Sequence, residues 1–167
     1  MMPIHTILHP TDFSDSARYA FSVAAILARE HKARLVVLHV RQTLGPMVSF
    51  GDALARLETP GYQEKLWGLL RRFVVADSRV QVDHRMVEGD AVKQILRTAE
   101  HTHCDLIVMG THGRTGLDRL VLGSVADRVL RGARCGVMTV RAPQPAEHEE
   151  AVAADGESAE ELSAMPL

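Results

Sequence analysis

A glycine-punctuated segment holds the residues of this sequence whose types and spacing are best suited to chemistry. Its spacing is G-x2-G-x9-G-S, formed by Gly110, Gly113, Gly123 and Ser124. Glycine has no Cβ, so its backbone N–H groups can approach an anion closely, and a helix N-terminus adds unpaired N–H groups and the positive end of its dipole. The spacing therefore indicates a phosphate cradle. The alternative is a flexible glycine loop that leads into an ordinary serine N-cap.

A second group of polar residues follows an apolar run near the start of the chain. Pro10, Thr11 and Asp12 end that run, and the carboxylate of Asp12 can accept a hydrogen bond from a ribose hydroxyl or an amine. Asp12 is equally suited to capping the helix that follows. Among the arginines of the glycine-rich region, Arg114 is the one expected near phosphate. The others are expected on an exposed basic face: Arg119, Arg128, Arg131 and Arg134.

The common signatures of nucleotide-dependent catalysis are absent from the sequence. It contains no G-x-x-x-x-G-K-[ST] phosphate loop, no G-x-G-x-x-G fingerprint and no G-x-S-x-G nucleophile elbow. His112 could act on a phosphate or a water, but loop histidines commonly only donate hydrogen bonds. The sequence therefore favours a binding protein over an enzyme.

Histidines and cysteines do not combine into a metal site. His101, His103 and Cys104 are close in sequence, but zinc ordinarily takes four ligands with paired spacings, and no second pair completes the set. We expect a helix end with exposed imidazoles and no metal. Cys135 is expected to pack as a small hydrophobe at the start of a strand. Two cysteines provide no disulfide framework, so a reducing, cytoplasmic compartment is expected.

Apolar runs of strand length alternate with helical periodicities through the first 141 residues. The predicted strands are Ile4–His9, Ala33–Val40, Arg79–Val87, Asp105–Met109 and Gly136–Val140. Apolar residues three or four positions apart predict helices between them, around 17–28, 66–73, 92–99 and 125–130. The third strand alternates apolar and polar residues, which is typical of a half-exposed edge. The βαβαβαβαβ order predicts an α/β fold with a doubly wound, five-stranded parallel sheet in the order 3-2-1-4-5, a Rossmann-like three-layer sandwich.

This strand order places the polar groups together. Strands one and four are neighbours whose connections run in opposite directions, and ligands of such sheets bind outside the carboxyl ends of the strands at this switch point. Asp12 follows strand one, while Met109 and Gly110 end strand four. A ligand is therefore expected between them.

Composition and charge divide the chain into two parts. The 167 residues are 46% hydrophobic and 24% charged, which excludes a disordered or collagen-like protein. Residues 1–141 carry a formal charge of +5 and residues 142–167 carry −7. We predict one domain over 1–141 and an acidic tail over 142–167, either flexible or forming a short helix from about Glu147 on the basic body. No segment has the pattern of a signal peptide or a membrane span.

Four motifs in order resemble the universal stress protein family, specifically its ATP-binding branch. Three of them are Pro10-Thr11-Asp12-Phe13-Ser14, Leu38-His39-Val40 and Glu88-Gly89-Asp90. The fourth is the run from Asp105 to Gly113, which leads into the glycine spacing described above. The resemblance covers roughly residues 2–141 and implies the adenine nucleotide alpha hydrolase-like fold.

The resemblance implies a site for ATP, with Mg²⁺, whose residues are assigned by position. Asp12 recognises the nucleoside, the backbone at Val40 contacts adenine, and the Ser124 hydroxyl binds phosphate. Ala126 stands where the family often has a hydroxyl residue, which removes one possible phosphate donor. With Arg114, which is added for its charge, the full set of nucleotide-binding positions is Pro10, Thr11, Asp12, Val40, Met109, Gly110, His112, Gly113, Arg114, Gly123, Ser124 and Val125.

The expected function is nucleotide-dependent regulation in a stress response. The alternatives are a slow ATP hydrolase and a nucleotide-free protein-interaction module. The last strand, Gly136–Val140, has no charge within it and would form an unprotected sheet edge. Symmetric pairing of this edge would give a homodimer, as is common in the family. A downstream protein partner is also expected, whereas nucleic acid is not, because the arginines are not interleaved with aromatic residues.

Overall fold

The computed structural model describes residues 3–41, 60–111 and 122–143. Three residues expected at the phosphate end of the site, His112, Gly113 and Arg114, lie outside these ranges. The acidic tail from residue 144 onward also lies outside them.

Strands and helices alternate along the described chain, as the sequence predicts. The strands are β1 (Thr6–Pro10), β2 (Arg34–Arg41), β3 (Val82–Glu88), β4 (Leu106–Gly110) and β5 (Gly136–Val140). The helices are α1 (Asp15–His31), α2 (Pro60–Leu70), α3 (Ala91–His101) and α4 (Ser124–Gly132). Every predicted strand is present, and β5 has the predicted ends.

The five strands form one parallel sheet in the order β3-β2-β1-β4-β5, so the predicted topology is confirmed. Pro10 lies opposite Leu38 on one side of β1, and on the other side Leu8 lies opposite Ile107 of β4. The edges are β3 and β5, which confirms β3 as the half-exposed edge strand.

Two hydrophobic clusters cover the two faces of the sheet. Alternate strand residues such as Leu8, Val36 and Ile107 pack with α3 and α4 on one face. Ile7, Val37 and their counterparts pack with α1 and α2 on the other. This side-chain alternation is the reason that a parallel sheet buried on both faces reads as continuous apolar runs. The result is the predicted three-layer sandwich.

A turn delays the start of β3 relative to the prediction. The sequence predicts a strand from Arg79, whereas β3 begins at Val82. The Asp77 carboxylate accepts a hydrogen bond from the Arg79 backbone N–H at 3.0 Å, and its carbonyl accepts one from the Val80 N–H at 3.0 Å. An aspartate that binds the backbone two residues later favours a turn over an extended chain.

Phe73 is also placed differently from the prediction. The apolar spacing puts it on the second helix, but α2 ends at Leu70. The Phe73 N–H donates to the Leu70 carbonyl at 3.1 Å, so Phe73 belongs to the turn after the helix. Its ring is buried and meets Phe21 of α1 edge-on, with centroids 4.9 Å apart. Its apolar character thus reflects core packing rather than helical position.

Within the described ranges, the helices are all too short or too polar to cross a bilayer.

Candidate functional site

The carboxyl ends of β1 and β4 lie side by side, and the chain leaves them toward opposite faces of the sheet. After β1 it enters α1, which packs on the face of Ile7, and after β4 it leads to α4 on the opposite face. We call the space outside these strand ends the β1–β4 crevice; it is bounded by Thr11, Asp12, Gly110 and Gly123. This is the predicted topological switch point.

Hydrogen bonds fix the backbone that leaves β1. The Thr11 N–H donates to the Leu38 carbonyl at 2.8 Å, which continues the β1–β2 ladder past Pro10. The buried Thr11 hydroxyl accepts from the Phe13 N–H at 3.1 Å, and the His39 Nδ1–H donates to the Thr11 carbonyl at 2.9 Å. Pro10 and Thr11 are therefore held rigidly at the crevice.

Asp12 organises the start of α1 but does not cap it. Its Oδ1 accepts hydrogen bonds from the Ser14 N–H at 3.1 Å and from the Ser14 hydroxyl at 2.6 Å. Ser14 is the N-cap, because its hydroxyl accepts from the Ala17 N–H at 3.2 Å. The sequence-based alternative that Asp12 caps this helix is thus wrong. The second oxygen of Asp12 has no hydrogen bond to any residue in the described ranges, so it can accept one from a ligand.

Phe13 adopts a strained conformation between Asp12 and Ser14. Its φ is 67°, in the left-handed region that non-glycine residues rarely occupy. The ring packs on His39 with centroids 4.3 Å apart. Such strain persists only where the surroundings impose it, and it is common in segments that position a site.

Gly110 allows α1 to approach the end of β4. A Cβ on Gly110 would lie 2.5 Å from the Ser16 Oγ and 3.1 Å from the Ser16 carbonyl carbon and oxygen. The Ser16 Oγ is buried and has no hydrogen-bond partner within the described ranges. Gly110 is thus required for helix packing, and sequence reasoning assigned it only to a ligand. It also missed Ser16, which has no distinctive spacing.

Thr111 connects the start of α4 to the end of the sheet. Its N–H donates to the carbonyl of Val140 at 3.0 Å, and its carbonyl accepts from the Gly123 N–H at 2.8 Å. The segment between Thr111 and Gly123 therefore begins and ends at the same place. This contact brings the predicted phosphate-binding positions Gly123 and Ser124 to the crevice. The glycine spacing did not single out Thr111. The threonine that the resemblance assigns to the site is Thr11, on the other side of the crevice.

The N-terminus of α4 lacks a side-chain cap. Gly123 is the N-cap residue, rather than Ser124, which is exposed as the first residue of the helix. The first helical hydrogen bond runs from the Asp127 N–H to the Gly123 carbonyl at 2.9 Å. Among the described residues, none accepts from the N–H groups of Ser124, Val125 and Ala126, as expected for a helix start. These groups and the helix dipole can bind an anion.

The backbone at Gly123 does not itself require glycine. Its φ of −58° and ψ of 146° are accessible to any residue. What glycine provides here is the absence of a side chain in front of the α4 N-terminus. That absence permits close approach of a ligand to the backbone.

Val40 lies near the end of β2, farther from the switch point between β1 and β4. It is half-buried beside Val87, which lies opposite it on β3. The neighbouring Arg41 forms an ion pair with Glu88, and its carbonyl accepts from the Gly89 N–H at 2.9 Å. The backbone at Val40 is thus held in place at the carboxyl edge of the sheet.

No group of three metal-ligating side chains occurs among residues 3–41, 60–111 and 122–143. His101 and His103 are exposed at the end of α3, as predicted. Cys135 is half-buried directly before β5, which also agrees with the prediction.

Comparison with known sequences identifies the family of this chain. A sequence model of the universal stress protein family matches residues 3–141. The chain belongs to this family. Universal stress protein MJ0531 from Methanocaldococcus jannaschii is 34% identical over 143 residues, which cover 83% of this chain and 82% of that protein.

Solved structures of universal stress proteins share the fold. UspA from Lactobacillus plantarum is 26% identical, with a TM-score of 0.70, and the match covers 84% of this chain and 100% of that one. A universal stress protein solved in complex with cAMP is 23% identical, with a TM-score of 0.61, over 83% of this chain and 98% of that one.

Most nucleotide-binding positions assigned by family resemblance converge in this universal stress protein. Pro10, Thr11 and Asp12 adjoin the end of β4, where Met109 is buried in the core and Gly110 faces α1. Thr111 ties this edge to the start of α4, which holds Gly123, Ser124 and Val125. Val40 lies on β2, so β1 separates it from the positions on β4 and α4.

Proposed function

We propose that this universal stress protein binds an adenine nucleotide, ATP with Mg²⁺, in the β1–β4 crevice and acts as a nucleotide-dependent regulatory protein in the cytoplasm. One observation carries the proposal: the uncapped N-terminus of α4 is tied through Thr111 to the carboxyl ends of the sheet at the switch point. A helix start with unpaired N–H groups in this position is suited to phosphate.

The phosphate end of the proposed site is α4. The N–H groups of Ser124 and Val125 and the Ser124 hydroxyl are proposed to donate to phosphate oxygens. Gly123 adds no side chain of its own in front of these groups. His112, Gly113 and Arg114 belong to the segment that Thr111 and Gly123 delimit, and we assign them to the phosphates and ribose. Mg²⁺, when bound, would neutralise part of the phosphate charge.

The nucleoside end is proposed to lie over β1 and β2. The Oδ2 of Asp12 is free to accept from a ribose hydroxyl, while Oδ1 is held by Ser14. The backbone at Val40 is assigned to adenine, and Pro10, Thr11 and Met109 to the walls. A universal stress protein of the same fold has been solved in complex with cAMP, which supports an adenine nucleotide as the ligand class.

Titration of purified protein with Mg-ATP tests the proposal through a single added side chain. Gly123→Val should weaken binding by at least about tenfold, equivalent to about 1.4 kcal/mol, because the side chain would stand where phosphate approaches. Isothermal titration measures this. The matched control is Gly68→Val on α2, where no other part of the described chain lies within 4 Å of the added Cβ, and it should bind as the wild type does.

Two results would contradict the assignment. Equal affinity of Gly123→Val and the wild type for Mg-ATP would show that phosphate does not bind at the α4 N-terminus. The absence of binding to ATP, AMP and cAMP by a folded wild type would favour a nucleotide-free interaction module instead. Conversion of ATP to ADP during the titration would favour the slow hydrolase.

The exposed edge of β5 supports the proposal of a homodimer. β5 ends the sheet, and Met138 on it is 38% exposed. Unpaired strand edges are suited to pairing with a second copy across a two-fold axis. Met138→Lys places a charge against its own symmetry mate near that axis and should convert a dimer to a monomer in sedimentation velocity at micromolar concentration. A wild type that sediments as a monomer would contradict this assignment.

The domain assignment is part of the same proposal. We assign nucleotide binding and dimerisation to residues 1–141, of which the family match covers 3–141. The acidic residues 142–167 are proposed to be an appendage of this domain and a candidate contact for a downstream protein.

A further inference from the structure

Two cysteines meet where neighbouring strands begin. β4 starts at Leu106 and β5 at Gly136, and these residues lie opposite each other. Cys104 and Cys135 shortly precede these starts. Adjacent strands lie about 4.8 Å apart, and disulfides join Cα atoms about 4.4–6.8 Å apart. The Gly136 N–H donates to the Asp105 carbonyl at 3.1 Å, which holds the two segments together.

The two cysteines lie on the same face of the sheet. Both side chains pack against the core cluster on the α3–α4 face, and both line the same cleft. Cys104 is buried, and its thiol also contacts the Leu106 carbonyl at 3.1 Å. Cys135 is half-buried. A cleft of about 340 Å³, lined by both cysteines together with His103 and Arg134, gives solutes access to the pair.

We propose that Cys104 and Cys135 form an intramolecular disulfide in the folded protein on exposure to a hydroperoxide, and thus act as a redox-sensitive pair. Both are free thiols in the structure, so this is its reduced form. The proposal is independent of nucleotide binding.

The division of roles follows from exposure. The thiolate of Cys135 attacks one oxygen of the hydroperoxide, the O–O bond breaks, and water or an alcohol leaves with the thiol proton. Cys104 then attacks the sulfenic sulfur of Cys135. The S–O bond breaks, and water leaves with the Cys104 proton. The two thiols together lose two electrons and two protons, and the hydroperoxide is reduced.

Burial sets the speed of this reaction. It raises the pKa of both thiols, that of Cys104 to about 12. The neighbouring Cys104 thiol lowers the pKa of Cys135 and so offsets part of the effect of burial, because a thiol can donate a hydrogen bond to a thiolate. Little thiolate is present at neutral pH, so oxidation should be slow compared with that of an activated cysteine. The pair would then respond to sustained rather than brief exposure to oxidant.

The disulfide would enclose most of the segment that carries the crevice. Residues between Cys104 and Cys135 include β4, Thr111 and all of α4. Oxidation would therefore fix the two ends of this segment to each other. A cross-link over this many residues should also stabilise the fold, mainly by restricting the unfolded chain.

Peptide mapping of the oxidised full-length protein tests the proposal. The folded protein is treated with hydrogen peroxide at mildly alkaline pH, blocked with a thiol reagent and digested with trypsin. Cleavage at arginines gives peptides 98–114 and 135–141, each with one cysteine. We expect these two peptides joined, with a mass about 2 Da below their sum, and separated again by a reductant. The oxidised protein should also unfold about 5 °C or more above the reduced one.

Single substitutions separate this bond from other oxidation products. Cys104→Ala and Cys135→Ala should each give no linked peptide and no rise in unfolding temperature with peroxide. Three results would overturn the proposal: sulfinic acid on Cys135 without a link, a disulfide between two copies of the chain, or a linked protein that unfolds below the reduced form. The last would show that the bond distorts the native geometry.

Discussion

Gly110→Ala is expected to lower the free energy of unfolding by about 2–3 kcal/mol. The added Cβ would lie 2.5 Å from the Ser16 Oγ and 3.1 Å from the backbone of Ser16. Because one of these contacts is to backbone, a side-chain rotation cannot relieve the overlap. The first turn of α1 must move away from β4, and urea denaturation monitored by circular dichroism measures the cost.

Two further variants show whether contact with Ser16 is the cause. Gly68→Ala adds the same methyl group to α2, where nothing else in the residues that the structure describes lies within 4 Å of it, and should stabilise the protein by about 0.5–1 kcal/mol. Ser16→Ala combined with Gly110→Ala removes the 2.5 Å contact but keeps the backbone contacts, so it should recover part of the loss. Full stability of Gly110→Ala alone would mean that α1 does not approach β4 this closely.

His9 is expected to make the protein about 3 kcal/mol less stable at pH 4 than at neutral pH. It is fully buried in β1, and burial lowers its pKa from 6.5 to about 4. Below pH 6.5 the unfolded chain binds a proton at this residue that the folded chain does not bind until about pH 4. The His9 contribution to stability is therefore complete above pH 6.5, decreases as the pH falls to 4, and changes little below that.

The surroundings of His9 explain why it remains neutral. Its Nδ1–H donates to the Val108 carbonyl at 2.9 Å, and Nε2 is buried without a partner among the described residues. The ring centroids of Phe21 and Phe73 lie 5.7 and 5.9 Å from the centroid of the His9 ring. Within the described ranges no carboxylate contacts the ring to offset the cost of a charge, although Asp12 slightly favours protonation from a distance.

His9→Leu isolates this contribution. Urea denaturation across pH 7 to 4 should give a shallower decline for the variant than for the wild type, whatever its stability at pH 7. His101→Leu removes an exposed imidazole at the end of α3 and is the control, because it leaves the buried His9 in place and should keep the decline that His9 causes. Parallel curves for His9→Leu and the wild type would show that the pKa of His9 is the same in the folded and the unfolded protein, which would contradict the assignment.

The sheet could be predicted because its pattern is redundant. Five apolar runs, four helical periodicities and right-handed connections leave few topologies, and the order β3-β2-β1-β4-β5 is confirmed. Element ends were predicted less well because single polar contacts decide them. The turn at Asp77 shortens β3. Phe73 packs in the core although it lies in the turn after α2 and not on the helix.

The position of the candidate site could be predicted from the sequence, but the contacts that organise it could not. The strand ends that carry Asp12 and Gly110 are dictated by topology, and the start of α4 by the Gly123-Ser124 pair. The roles of Thr111 and Ser16 depend on backbone hydrogen bonds and a close helix contact. Most of these contacts join residues far apart in sequence, and nothing in the spacing of the residues indicates them.

The central claim is that the crevice holds an adenine nucleotide, and the most direct measurement is identification of what the purified protein carries. The protein is denatured, and released small molecules are separated by chromatography and identified by mass. We predict ATP in near-stoichiometric amount from the wild type and from Gly68→Val, and little from Gly123→Val. If the wild type releases no nucleotide and its unfolding temperature does not change with added Mg-ATP, the claim is contradicted.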